Sequence, residues 1–152
     1  MSERSSAEVI ELVRQVRHDY LNHFQVVSGY LELGMPERAQ AYINIINADS
    51  GRERELLSMQ PAALALVLYQ LYLHWRLQGI ILEFVVPVIN DEWVLACLGA
   101  QIEKLIMSQG WRAPDDDLVI QVKIEPVTGN SFLLTVFETN SNVSVHTVIT
   151  RE

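Results

Sequence analysis

His18, Asp19 and Asn22 are the residues of this chain whose types and spacing could do chemistry. They lie in the run Arg17-His18-Asp19-Tyr20-Leu21-Asn22-His23, within a stretch of helical periodicity. At about 100° per residue, His18 and Asn22 fall one turn apart on the same side. Val9, Val13, Val16, Tyr20, Phe24, Val27 and Leu31 step around a different direction and form an apolar stripe. Measured from Val9, His18 projects roughly 180° away, toward solvent or a partner. Imidazole titrates near neutral pH, so a neutral ring with a free lone pair is well populated and nucleophilic. Placed on the outside of a stable helix, it suits the acceptance of a phosphoryl group from another protein. Asp19 can orient the ring or hold the proton on its second nitrogen. Asn22 can hydrogen-bond a transferred phosphoryl oxygen or keep a partner aligned. Glu11, Gln25 and Gly29 share that side, and Gly29 lets a docking surface approach closely. Leu21 and Val26 flank it as exposed apolar positions, which cost solubility unless they meet a partner.

Other chemistries do not assemble. Metal ligands on a helix want three- or four-residue spacing, and His18 and His23 are five apart. His74 and His146 have no evident catalytic partner. Cys97 is the lone cysteine, set in an apolar helical pattern, so it reads as a small buried hydrophobe. No Ser-His-Asp or Cys-His arrangement can be built. The net charge is −8 and acids outnumber bases on both sides of Ser58, so no basic footprint for nucleic acid exists. The longest apolar run, Ile80 to Ile89, is broken by Glu83 and Pro87, so no membrane span is expected. The first residues lack the basic-then-apolar pattern of a signal peptide, and a cytoplasmic protein is expected.

The chain has 152 residues, 49% of them hydrophobic and 20% charged, enough for a globular core. A first helix is expected from about Ser6 to Leu33, capped by Ser5 or Ser6. Gly34-Met35-Pro36 ends it, and a second helix runs from Pro36 to about Leu57, with Ala39, Ile43, Ile46 and Leu57 inward. The short turn makes an antiparallel hairpin, which buries little by itself; two copies pairing into a four-helix bundle would solve that, so a homodimer is expected. Beyond it, a helix over 61–77, a strand over 80–87 and an Asp91-capped helix over 92–108 follow. Residues 109–117 form an acid-tailed loop. Strands over 118–126, 132–138 and 143–150 close the chain, the first two joined at Thr128-Gly129-Asn130. The fold class is α+β: a helical hairpin over residues 1–58 and a small α/β sandwich over 59–152.

The run from Arg17 through Gly34, Arg17-His18-Asp19-Tyr20-Leu21-Asn22-His23-Phe24-Gln25 and onward to Glu32-Leu33-Gly34, resembles the phosphoacceptor helix of the sporulation initiation phosphotransferase B family. It also resembles the related citrate/fumarate-type sensor histidine kinases, and the match continues through Pro36-Glu37-Arg38-Ala39. The resemblance implies that His18 is the phosphorylated residue, with Asp19 and Asn22 assisting. It also implies that Arg17, Leu21, Gln25 and Gly29 border the partner's docking surface. The second half resembles the kinases' ATP domain more weakly, through Pro61 to Leu68 and Gln78-Gly79-Ile80. Where those kinases carry nucleotide- and magnesium-binding asparagines, this chain has Ala100 and Lys104; alanine offers no ligand and lysine repels magnesium. Where a glycine-rich loop follows a strand in the kinases, it has Glu138-Thr139-Asn140-Ser141-Asn142-Val143. No glycine is left there for close approach to phosphates. A second glycine box is also missing before Glu152. The α/β sandwich is therefore expected to be a degenerate kinase-like domain that binds no ATP.

Together these features imply a phosphorelay histidine phosphotransferase, in the setting of sporulation initiation. It would carry phosphate between aspartyl-phosphate receiver domains of response regulators. No cofactor is expected in the chain itself, and Mg²⁺ is expected in the receiver partner. The alternatives are an inactive relic or regulator that binds a sensor kinase or receiver without carrying phosphate, and a dimeric helical scaffold.

Overall fold

A computed structural model describes residues 6–111 and 117–150. The chain divides into two compact units, Met1–Arg54 and Glu55–Glu152, with the division inside the second helix. Ser5 and most of the expected acidic loop lie outside the described residues.

In the first unit, α1 spans Ser6–Glu32 and α2 begins at Pro36 and runs to Leu57. Ser6 is already inside the helix and is not its cap. Gly34 stops α1 with a φ of 68°, which its missing Cβ tolerates. The Gly34 N–H donates to the Leu31 carbonyl at 3.0 Å and the Met35 N–H to Tyr30 at 2.8 Å, satisfying last-turn acceptors. Pro36, which has no N–H to lose, then opens α2. The helices meet through aromatic and polar side chains: the Tyr42 ring lies 5.8 Å from His23 and 6.4 Å from Tyr30. Leu12, Val16, Asp19, His23, Val27 and Tyr30, among the half-buried positions of α1, recur at three- and four-residue steps.

The expected apolar stripe coincides with this seam only at Val16 and Val27, which are half-buried. Val9, Val13, Tyr20, Phe24 and Leu31 are all exposed, Phe24 by 68%, and α1 buries no residue at all. Ala39 and Ile46 of α2 turn inward as expected, whereas Leu57 is 54% exposed. The reason is geometric: one neighbouring helix covers only one side of a cylinder, and most of the stripe lies round the helix from α2, with Val16 and Val27 at its near edge.

In the second unit, α3 (Ala62–Arg76), β1 (Ile80–Val85), α4 (Glu92–Gln109), β2 (Leu118–Pro126), β3 (Ser131–Glu138) and β4 (Val143–Thr150) follow in order. With the hairpin, the described residues hold four helices and one mixed four-stranded sheet, an α+β fold. The sheet order is β1-β2-β3-β4, with β1 parallel to β2 and the remaining pairs antiparallel. A parallel neighbour needs a crossover, and α4 is that connection. Asp91 caps α4, accepting from the N–H groups of Trp93 at 2.9 Å and Val94 at 3.2 Å. Alternation along β2 and β3 sends Ile120, Val122, Ile124, Leu134 and Val136 into the core with Leu64, Leu68, Tyr72, Leu98 and Ile102. Cys97 is only half-buried, not a core residue; its thiol donates to the Val94 carbonyl at 3.3 Å, and burial pushes its pKa up.

The same alternation puts Glu138 on the buried side, opposite Ile120 and 4% exposed. Its carboxylate turns back on the β3–β4 corner and accepts from Asn140 N–H at 2.8 Å and Ser141 N–H at 2.6 Å. The Ser141 hydroxyl and these amides hold its pKa below the ordinary carboxylate value, against burial, which pushes the other way. A lowered folded-state pKa means stability present above the unfolded pKa and lost as pH falls through the folded one. Glu138→Gln is therefore expected to be less stable than wild type at pH 7, with the difference shrinking in acid. Urea unfolding of both proteins from pH 7 to pH 3 checks it; a constant difference would mean the carboxylate charge is not involved.

Candidate functional site

Helix α1 sets the site by its phase. His18 lies on the side away from the exposed stripe, and its side chain is 73% accessible. Asp19 is about 100° further round, and its side chain is only 27% accessible because that direction faces the seam with α2. Asn22 is one turn on, exposed, with its amide nitrogen 3.2 Å from His18 Nδ1. The Asp19 carboxylate is 3.5 Å from the same Nδ1. Both contacts fall on Nδ1, and Nε2 takes part in neither.

The two contacts ask for opposite tautomers. An amide N–H donating to Nδ1 requires the ring proton on Nε2, which removes the lone pair that would attack. A carboxylate beside Nδ1 favours the proton there, leaving Nε2 nucleophilic. Asp19 therefore supports the reactive form and Asn22, in this rotamer, the resting one. A half-turn of the Asn22 amide presents its oxygen and reconciles the two.

Arg17, Leu21 and Gln25 are exposed around this centre, with Leu21 at 47%. A Cβ added at Gly29 would meet nothing within 4 Å, so packing inside this chain does not require glycine there. Glycine in a helix interior costs roughly 0.5–1 kcal/mol relative to alanine. Gly29→Ala is expected to stabilise the hairpin by about that much while slowing any step that needs a partner's close approach. Thermal melts and transfer rates measured together check it; a stabilised variant of wild-type rate would remove Gly29 from the docking surface.

The remaining histidines have structural partners. His23 Nδ1 pairs with the Tyr42 hydroxyl at 2.9 Å, and His74 Nε2 lies 3.1 Å from the Gln78 amide and 3.8 Å from Glu103. His146 sits on β4 opposite Thr135. Among the described residues no group of three or more His, Cys, Asp and Glu could hold a metal ion. Ala100 and Lys104 occupy one exposed side of α4, one turn apart, where the resemblance places nucleotide-binding asparagines.

Sequence reasoning missed a contact beside the site. Tyr20, assigned to the apolar stripe, is 37% exposed, and burial first, then the charge of Glu53 on α2, pushes its pKa up. Burial first, then the charges of Asp49 and Asp19, push the Glu53 pKa up against the Tyr20 hydrogen bond. Asp49 is held by Arg52 at 3.3 Å. The signal was available: Asp49 and Glu53 continue the spacing of Ala39, Tyr42 and Ile46 on the inner side of α2.

Residues 1–59 match the family model described as Sensor_kinase_SpoOB-type, alpha-helical domain. The match takes in the hairpin, less than half of the chain. The match covers both helices and includes His18, Asp19 and Asn22. That family is related to two-component phosphotransfer signalling. Among curated proteins no match was found. No helix among the described residues is long and apolar enough to cross a membrane.

Proposed function

We propose that this chain is a histidine phosphotransferase of a phosphorelay, carrying a phosphoryl group on His18 between receiver domains of response regulators. The observation that carries this reading is an exposed imidazole whose Nδ1 is approached by Asp19 and Asn22, on a helix that matches the SpoOB-type family model. The Nε2 lone pair attacks phosphorus of an aspartyl phosphate on the receiver. The new N–P bond forms as the P–O bond to that aspartate breaks, and the receiver's carboxylate leaves with the bonding pair. The ring keeps its Nδ1 proton and gains positive charge, which the Asp19 carboxylate balances. Reversal onto a second receiver returns the neutral ring. Alignment and charge stabilisation supply most of the catalysis, and the receiver's own acidic pocket and Mg²⁺ provide the latter.

The exposed stripe on α1 supports a homodimeric four-helix bundle in which a second hairpin covers it. Residues 1–58 then form the phosphoacceptor and dimerisation domain, and 59–152 a degenerate kinase-like domain that assists docking or stability. The setting would be cytoplasmic, and sporulation initiation is the process the family points to. A panel of ³²P-labelled receiver domains tests the reading: at least one should pass label to the chain, and Mg-ATP alone should not. Autophosphorylation from labelled ATP would return the chain to the kinases. Binding of receivers without uptake of label would favour a regulator.

A further inference from the structure

We propose that β4, the free edge of the sheet, is an interface for a second copy of this chain: two β4 strands pair antiparallel about a two-fold axis at Thr147 and join two sheets into one. This goes beyond phosphate transfer and concerns the second unit alone.

The sheet order leaves β4 at one edge, paired along its whole length to β3, from Ser131↔Thr150 to Glu138↔Val143. One bond just past β3 sets the phase of the ladder: Thr139 N–H donates to the Val119 carbonyl at 3.2 Å. In an antiparallel sheet, alternate residues turn their backbone groups to opposite neighbours. Leu133, Thr135 and Phe137 therefore bond to β2. Phe132, Leu134, Val136 and Glu138 bond to β4, where they meet Ile149, Thr147, Val145 and Val143. The N–H and C=O groups of Ser144, His146, Val148 and Thr150 point the other way, and among the described residues no strand pairs with them. Only another extended chain offers donors and acceptors at that spacing.

The residues say which chain. Free edges are ordinarily guarded by a charge, a proline or a bulge. Val143–Thr150 has no charged residue and no proline, its register runs without a bulge, and Val148 is 55% exposed. By contrast β1, the opposite edge, carries Glu83. The strand is also complementary to itself. With the axis at Thr147, all four outward residues find hydrogen-bonding positions: Ser144 opposite the partner's Thr150, and His146 opposite the partner's Val148. Between them Val145 meets the partner's Ile149, and Thr147 meets the partner's Thr147. Matched β-branched and threonine pairs are favourable across strands. In a chain of net charge −8, such a seam also sets no acid against acid. The pairing is isologous, so it closes and leaves neither β4 edge free.

The test uses the full chain with Cys97→Ser, so that no native thiol reacts. An eight-residue seam is smaller than a stable dimer interface, so pairing is expected at about hundreds of micromolar, above the range in which the hairpins would dimerise. Facing residues that exchange no hydrogen bonds have Cα atoms about 4.5 Å apart, within reach of a disulfide. Under a mild oxidant, Thr147→Cys should cross-link to its own copy at least about tenfold faster than Ser144→Cys, whose two thiols would stand roughly 20 Å apart. Val148→Pro removes an outward N–H without touching the β3 ladder. It should abolish both that cross-linking and the concentration-dependent rise in mass seen by sedimentation. Should Val148→Pro lower stability, Val148→Lys at the same exposed position carries the measurement. Equal cross-linking of Ser144→Cys and Thr147→Cys, or association unchanged in the folded Val148 variants, would overturn the inference. Amide protection at Ser144, His146 and Val148 that appears only when a receiver domain is added would also overturn it, by giving the edge to another protein. Val13→Glu with Phe24→Glu leaves β4 intact, so Thr147→Cys should cross-link in that background too, and failure of the hairpin dimer would not touch the inference. Cross-linking lost there would overturn it, by making the edge contact a by-product of the bundle.

Discussion

His18→Ala is expected to abolish phosphate acceptance, by at least about a thousandfold, because it removes the imidazole that attacks phosphorus. The same substitution should change stability by no more than about 0.5 kcal/mol, since an exposed side chain contributes little packing. The pairing of those results matters more than either alone. A variant that lost transfer and also melted early would report a damaged helix instead of a missing nucleophile. Asn22→Ala should slow transfer without stopping it, because Asn22 addresses Nδ1 and a phosphoryl oxygen but is not attacked. Denaturant unfolding and label uptake, measured on the same preparations, decide between these outcomes.

The second large effect concerns assembly. Val13 and Phe24 lie on the exposed stripe, away from the seam with α2, so charging them leaves the protomer's own contacts intact. Burying a Val or Phe side chain is worth about 1.5–3 kcal/mol, so losing both weakens association by on the order of 3–6 kcal/mol. Val13→Glu combined with Phe24→Glu should therefore weaken a dimer roughly a hundredfold or more. Sedimentation should show wild-type dimers giving way to monomers, with reduced helicity, because an isolated hairpin has so little core. A wild-type chain that stays monomeric at micromolar concentration removes the bundle.

Helix ends, turn and strand alternation were legible because each has a local cause. Gly34 and Pro36 punctuate the hairpin, Asp91 caps α4, and the period-two pattern of β2 and β3 matches their burial. The site was legible in type and phase, since helical spacing alone sends His18 outward. What could not be read was anything dependent on the direction of a neighbour. The apolar stripe gave no sign that α2 would sit beside it, so Asp19 was not recognised as a seam residue. Tyr20 counted as apolar by ring, though its hydroxyl decides its role. Glu138 broke the apolar alternation of β3, and only the path of the following corner shows why a carboxylate is accommodated there. Cys97 lies in an apolar run yet is only half covered, because its side of α4 turns partly away from the core.

The central claim is that phosphate travels on His18. The most direct measurement incubates the full chain with a ³²P-phosphorylated receiver and maps the modified residue by mass spectrometry under alkaline conditions, where phosphohistidine survives. An acid-labile phosphate on His18 that drains onto a second receiver is the expected result. Label on His23, His74 or His146, or relay at the wild-type rate by His18→Ala, would contradict the account.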